Sequence, residues 1–519
     1  MAERKLLIID TIEDYDKKFQ NYDIIYLSEG RVIENNCKIL DIDTQNFEIE
    51  KKNLIKKIFN YTKIYSESLK NKKFQACLEI NNFRNDRYKQ YYKALKILFI
   101  KKKLNKYKNN VFVITDDNNF FNSYKSLTST NKIKLINNNI FQKKISFLKT
   151  NLIFLAKILF IKILLLNKQE SKIKSKEIYF SIYPLFFKNN INFIYNKKNI
   201  NFLNTIISDE SHLQECFIET MKRFYKIQNN KFFNHVESYI SLKEIILFAF
   251  NIFKANVIFN RIEKKNFFVN GIDFSSSFKE IFLISYIKFF KNKIYLNAIN
   301  FFIKKNNIKQ FNFFLFEYSF GIQLNQYLLD NIPNLETVGY QHGLNSDNFI
   351  WETIPRKFKN SFPSKIIIKS EISKKIYKKK YNPKIILKQK YPDDFKEIES
   401  YTKILSKEKK HQNNYVVFLG LHDTNEMISA LKKIKNTKIK FFLKLHPKVK
   451  IKKNNYPSNI KILKKMNNKK YFRYIVVSQS SSLVLLFLEN KIPFKIIKNF
   501  KTINLLSNYK KFLKNNYLE

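Results

Sequence analysis

Glycine occurs six times and cysteine three times in this chain of 519 residues. Six glycines leave no G-x-G-x-x-G and no G-K-[ST] loop, so a glycine-rich phosphate cradle is excluded. Cys37, Cys77 and Cys216 include no C-x-x-C pair. A disulfide framework and a cysteine zinc site are therefore excluded, and a reducing compartment is expected. Arginine is scarce: of 96 basic residues only 8 are Arg. Long uncharged apolar runs are absent too. The nearest approach, 152–166, is interrupted by Lys157 and Lys162, whereas a spanning helix needs about 20 largely uncharged residues. That segment suits a helix lying at a membrane surface, or a core helix whose lysines reach out to water.

Acidic residues are also few, and 96 − 43 gives a net charge of +53. Such a charge invites a nucleic-acid reading. The excess is lysine, however, and it is scattered along the chain. Arginine is the usual agent of base and phosphate readout. The chain is also rich in Asn, Ile, Phe and Tyr, the residues of A/T-rich codons, so genome bias accounts for much of the lysine. A positive surface of this kind still attracts anionic lipids and sugar nucleotides. Hydrophobic content of 45% marks a folding chain of two or three domains. No secretory signal is expected, because Met1–Arg4 leads directly into the strand-like run Lys5–Asp10.

Short apolar runs alternate with longer helical patterns, which predicts an α/β fold. Strands are expected at Lys5–Ile9, Asp23–Leu27, Lys38–Ile42, Phe74–Leu78 and Val111–Thr115, with a helix over Arg84–Leu104. Residues 140–305 read as a helical insertion, apart from a strand at Ile178–Pro184. Beyond 310 strands are expected at Phe311–Phe316, Glu336–Gln341, Ile366–Ile368, Val416–Leu419, Ile439–Leu445, Ile460–Leu463, Tyr474–Val477 and Phe494–Ile497. Helices fall between them, as a doubly wound parallel sheet requires. The Pro355–Pro363 stretch divides an N-terminal domain, 1–360, from a C-terminal one, 361–519.

Three motifs follow expected strands, where open α/β sheets bind ligands. Val477-Ser478-Gln479-Ser480-Ser481-Ser482 offers hydroxyls and free backbone N–H groups at a helix start. N-capping alone would need one serine, whereas four of five positions here are serine. His446-Pro447-Lys448 follows the run Phe441–Leu445. Pro447 ends the strand, and His446 could donate to a phosphate while Lys448 adds positive field. The bland alternative is a loop histidine without a role. Tyr340-Gln341-His342-Gly343 presents a second histidine, a candidate general base or donor. Glu317 occupies the equivalent place one strand earlier and is a second candidate base, although most strand-end glutamates are merely solvated. His422, after the strand Val416–Leu419, is a weaker candidate for donor binding.

His-Gly, then Leu-His-Pro, then a Ser-Ser turn, in this order, resembles bacterial surface-polysaccharide transferases of the GT-B type over about 310–500. Two branches share the pattern: the sialyltransferases with related Kdo transferases, which use CMP-sugars, and the CDP-glycerol glycerophosphotransferases. The resemblance implies two Rossmann-like domains facing a cleft, with the acceptor on the first and the nucleotide on the second. It implies His446 at the donor phosphate and Ser480, Ser481 and Ser482 around the phosphate or carboxylate. His342 would be the base in the polyol-phosphate branch. In the sialyltransferase branch the base lies in a D/E-D/E-G motif, which is missing here, so only Glu317 could substitute. The resemblance implies neither metal nor other cofactor. The implied partners are a cytidine-nucleotide donor and a glycan or lipid-linked glycan, with 152–166 as a contact to an anionic membrane. The expected place is the cytoplasm at the inner membrane face, in capsule or O-antigen synthesis. A nucleic-acid-binding protein is the alternative of another class.

Overall fold

A computed structural model describes residues 5–10, 22–27, 38–39, 88–107, 110–136, 140–166, 173, 175–183, 187–188, 191–192, 194–195, 197–198, 201–207, 218, 221, 234–262, 267–314, 316, 318–341, 362–368, 370–378, 386–388, 399–406, 408–420, 424–432, 434, 438–445, 458–463, 471–478, 481, 483–497 and 515–518. The chain divides into two units. The first holds Met1–Asn190, Lys198–Thr337 and Arg356–Pro363. The second holds Ile191–Lys197, Val338–Pro355 and Ser364–Glu519.

The first unit begins with β1 (Lys5–Asp10), β2 (Tyr22–Tyr26) and β3 (Lys38–Ile39), followed by helix α1 (Tyr88–Lys103). Then come β4 (Val111–Thr115), α2 (Phe121–Lys125) and β5 (Ile133–Leu135). These strands form a parallel sheet in the order β3-β2-β1-β4-β5. Leu6 to Ile9 are fully buried. A central parallel strand is covered on both faces, which is why it reads as an unbroken apolar run rather than an alternating one. The expected strand Phe74–Leu78 lies outside the described residues.

Helix α3 (Ile140–Leu165) leads to β6 (Glu177–Ile182). Short strands β7 (Phe187–Lys188), β8 (Ile191–Asn192) and β9 (Lys197–Lys198) precede β10 (Phe202–Thr205) and β11 (Asn234–His235). Helix α4 (Leu242–Ile262) then runs to an antiparallel hairpin, β12 (Phe268–Val269) and β13 (Ile272–Asp273). Its turn, Asn270-Gly271, has φ of 51° and 73°, the positive pair that a two-residue hairpin of this twist requires. Helix α5 (Ser275–Lys305) and strand β14 (Gln310–Phe314) follow. Strands β11-β10-β6-β14 lie parallel in that order. The segment expected to be a helical insertion thus contains three long helices and also three strands of a parallel sheet.

After α6 (Ser319–Asn331), strand β15 (Glu336–Tyr340) carries the chain into the second unit. There β15 pairs with β16 (Lys365–Ile368), which pairs with β17 (Ile386–Lys388) across helix α7 (Glu371–Lys378). The last sheet holds β18 (Asn414–Phe418), β19 (Lys440–Lys444), β20 (Ile460–Leu463), β21 (Tyr474–Ser478) and β22 (Phe494–Ile497), with helices α8 (Thr424–Lys432) and α9 (Leu483–Glu489). Its order, β20-β19-β18-β21-β22, repeats the pattern of the first sheet. Both are doubly wound α/β sheets. Val417, Phe441, Leu443 and Val476 pack with Met427, Ile428 and Leu431 of α8 into one core. Burial of each such side chain contributes roughly 1.5–3 kcal/mol.

Candidate functional site

In a doubly wound sheet the strand order reverses at one point, and the loops leaving the two strands there diverge to open a crevice. In the last sheet that strand is β18, with β19 on one side and β21 on the other. Phe418 pairs with Lys444 on one flank and with Val477 on the other. Leu445 and Ser478 therefore leave the same carboxyl edge, about 10 Å apart at two strand spacings. The chain continues from Leu445 into His446-Pro447-Lys448 and from Ser478 into the serine turn.

Ser478 is fully buried. The Ser481 N–H donates to the Ser478 carbonyl at 3.0 Å, which tightens the turn. The Ser481 hydroxyl accepts from the Leu483 N–H at 3.3 Å, and its carbonyl accepts from Val484 N–H at 3.1 Å. Ser481 therefore caps α9. Ser481→Ala should cost about 1 kcal/mol of stability in a urea melt, as loss of a serine N-cap does. An unchanged melting midpoint would refute the cap. On the β18 side, Thr424 Oγ1 donates to the Gly420 carbonyl at 2.5 Å and ties α8 back to its strand.

Ser481 is the sequence-predicted site residue that the described structure positions. His342, His446 and Glu317 lie outside the described residues, as do Pro447, Lys448, Ser480, Ser482 and His422. The residue before His342 is nevertheless well defined. Gln341 is fully buried, and its N–H donates to the Ile367 carbonyl at 2.9 Å. Its side-chain amide donates to Ser373 Oγ at 2.7 Å. Ser370 caps α7 by accepting from the Ser373 N–H at 3.0 Å. These bonds fix the point at which the chain leaves β15. The Glu371 N–H donates to Glu489 Oε1 at 2.8 Å. Glu489 ends α9, a seven-residue helix about 10 Å long. The serine turn thus sits at one end of α9 and the Gln341–Ser370–Ser373 group beyond the other.

Two further clusters had no sequence motif to announce them. At the carboxyl ends of β1 and β4, Lys93 Nζ lies 2.8 Å from Asp10 Oδ1 and 2.8 Å from Asp117 Oδ2. Asp10 Oδ2 accepts from Thr115 Oγ1 at 3.1 Å and from the Tyr124 hydroxyl at 2.5 Å. Burial alone would lower the pKa of Lys93, but Asp10 and Asp117 outweigh it and push it up to about 12. Burial, and then Asp10, hold Tyr124 well above the ordinary phenol range. Lys93 stays charged and Tyr124 neutral at physiological pH. The cluster locks α1 to two strands.

The second cluster lies at the carboxyl edge of β6, β10 and β11. Asn204 is paired with Ser181 on one side and His235 on the other, and all three are buried. The Tyr183 ring meets the His235 ring edge-on at 5.5 Å. Glu237, fully buried, accepts at Oε1 from Thr205 Oγ1 at 2.7 Å, Ile206 N–H at 2.8 Å and Ile207 N–H at 3.1 Å. Among the described residues its Oε2 has no hydrogen-bond partner, nor has either polar atom of the Asn204 amide. Burial raises the pKa of Glu237, and the donated bonds offset part of that rise. Among the described residues no group of three or more His, Cys, Asp or Glu could hold a metal ion.

No protein-family model matches the sequence, and no curated protein matches it. A crystal structure of CalG4, the calicheamicin glycosyltransferase, aligns at 8% identity with a TM-score of 0.33, over 65% of this chain and 83% of its own. That likeness is too loose to argue from, and the strand order defines the fold: parallel α/β, with two sheets wound in both directions from a central strand.

Proposed function

We propose that this chain is a metal-independent glycosyltransferase of GT-B-like architecture, taking a sugar from a cytidine-nucleotide donor of the CMP-nonulosonate or Kdo type to a glycan acceptor in surface-carbohydrate synthesis. The observation that carries the reading is the edge of the last sheet. The segments bearing His446-Pro447-Lys448 and the serine turn leave it on either side of β18, about two strand spacings apart. Side chains leaving one sheet edge at that separation can reach toward a common ligand.

In this reading the acceptor hydroxyl loses its proton to His342 or Glu317. Its oxygen attacks the anomeric carbon, the bond from that carbon to the phosphate oxygen breaks, and CMP departs with the electron pair. His446, Lys448 and the N–H groups of the serine turn meet the charge that builds on the departing phosphate. In sequence His446-Pro447 follows the end of β19 and His422 follows β18, which makes them candidates for the same donor. A CDP-glycerol donor would place the attack at phosphorus instead, with His342 as base.

Purified protein should be offered CMP-activated and CDP-activated donors separately, with glycan acceptors, and release of the nucleotide followed. CMP released from a sugar donor, at a rate unchanged by EDTA, is the expected result. Release of CMP from CDP-glycerol alone moves the assignment to polyol-phosphate transfer. Absence of both release and binding for every cytidine donor overturns the proposal.

A further inference from the structure

Large apolar side chains exposed to water are concentrated on two neighbouring helices of the first unit. On α3 and the residue after it they are Leu152, Ile153, Leu159, Phe160, Ile163 and Leu166; on α4 they are Leu242, Ile246, Leu247, Phe250 and Phe253, all between 39% and 71% exposed. The helices pack through their other faces. Phe154 meets Phe248 edge-on at 5.7 Å, and Ile158, Ile161 and Ile252 are buried. At 100° per residue the α4 set 242, 246, 250 and 253 forms one stripe, and the α3 set forms another. Exposed apolar side chains gathered in this way mark an interaction surface rather than the singly scattered ones of an ordinary exterior.

The charges around these stripes have one sign. Helix α3 contains five lysines (143, 144, 149, 157 and 162) and no acidic residue. Helix α4 contains Lys243, Lys254 and Arg261 against a single Glu244. That glutamate is engaged in a capping box with Ser241, through bonds of 3.2 Å in each direction. Lys157 falls on one edge of the α3 stripe, and Lys243 and Lys254 along one edge of the α4 stripe; Lys162, on the other edge of α3, donates to the Ser238 carbonyl at 3.4 Å. Among the described residues no helix is long and apolar enough to cross a membrane.

We infer that α3 and α4 form a two-helix platform that lies on an anionic lipid bilayer, its apolar stripes in the headgroup–acyl boundary and its lysines at the headgroups. Charge decides the occupant. A second copy of this chain, at +53, would bring like charge to the lysine rims. A bilayer bearing anionic lipid brings opposite charge to the rims and hydrocarbon to the stripes. This inference does not depend on the transferase reading, because neither helix carries a residue of that chemistry.

The test is flotation of the full chain with phosphatidylcholine vesicles, with or without phosphatidylglycerol. Binding should be at least about tenfold stronger to the anionic vesicles, given a contribution of roughly fivefold per lysine near the surface. The double variant Ile246→Glu/Phe250→Glu should lose most of that binding while keeping its circular dichroism, because both side chains already face water. Ile163→Glu provides the same reading from α3 should the double variant misfold. Lys243→Gln/Lys254→Gln should weaken anionic binding and leave neutral binding alone. Binding equal on both vesicles, binding unaffected by the glutamate variants, or a dimer in solution that those variants dissolve would each overturn the inference.

Discussion

Glu237→Ala is expected to destabilise the protein by about 3–5 kcal/mol, whereas Glu237→Gln leaves stability at neutral pH unchanged or raised. Alanine removes the acceptor for Thr205 Oγ1 and for the Ile206 and Ile207 N–H groups, all of which converge on one oxygen. Each buried donor left unmatched costs on the order of 1–3 kcal/mol. Glutamine keeps that oxygen and gives up only a charge that burial already disfavours. The pH dependence separates the two forms. The folded pKa of Glu237 is raised above its ordinary value of 4.5, so the folded state holds the proton more tightly than the unfolded chain does. Its contribution to stability is complete below about pH 4.5 and is lost as pH rises through the folded pKa. Urea melts across that window should show this decline in the parent and not in the glutamine variant. Matching slopes would mean that Glu237 is not held in the buried, neutral-favouring site.

His446→Ala is expected to slow release of the cytidine nucleotide by about 10²–10³-fold with the fold intact, the usual cost of losing one donor to developing charge. His411 provides the control. It precedes β18, at the amino edge of the same sheet, and its ring meets that of Tyr471 at a tilt, with centroids 5.5 Å apart. His411→Ala should leave the rate alone. A parental rate in the His446 variant, measured at saturating donor, would remove that residue from the chemistry.

Among the strands that the sequence announced, the plainest are buried on both faces. Lys5–Asp10, Val111–Thr115 and Tyr474–Ser478 are nearly unbroken apolar runs, which is how a parallel strand between helical layers must read. The sheet through β6, β10 and β11 was not legible as such. Phe202–Thr205 carries a buried Asn204, and β11 is two residues long, so neither gives a period to count. Long Phe-rich helices on either side dominate that stretch. The chemistry followed the same division. Ser481 sits at a strand-to-helix turn, which local sequence reveals. Lys93 meets Asp10 and Asp117 only through tertiary packing, and nothing in their neighbours signals it. Asp117 also caps the short turn after β4, its carboxylate accepting from the Asn119 N–H at 3.0 Å.

The bond from the Glu371 amide to Glu489 has a bearing on where a phosphate can go. Amides opening a helix are natural seats for an anion, and at α7 one such seat is already filled by the protein's own carboxylate. An incoming phosphate would have to evict it and leave Glu489 repelling the newcomer at close range. Removing that rival with Glu489→Ala would free the Glu371 amide and open α7 to a competing anion.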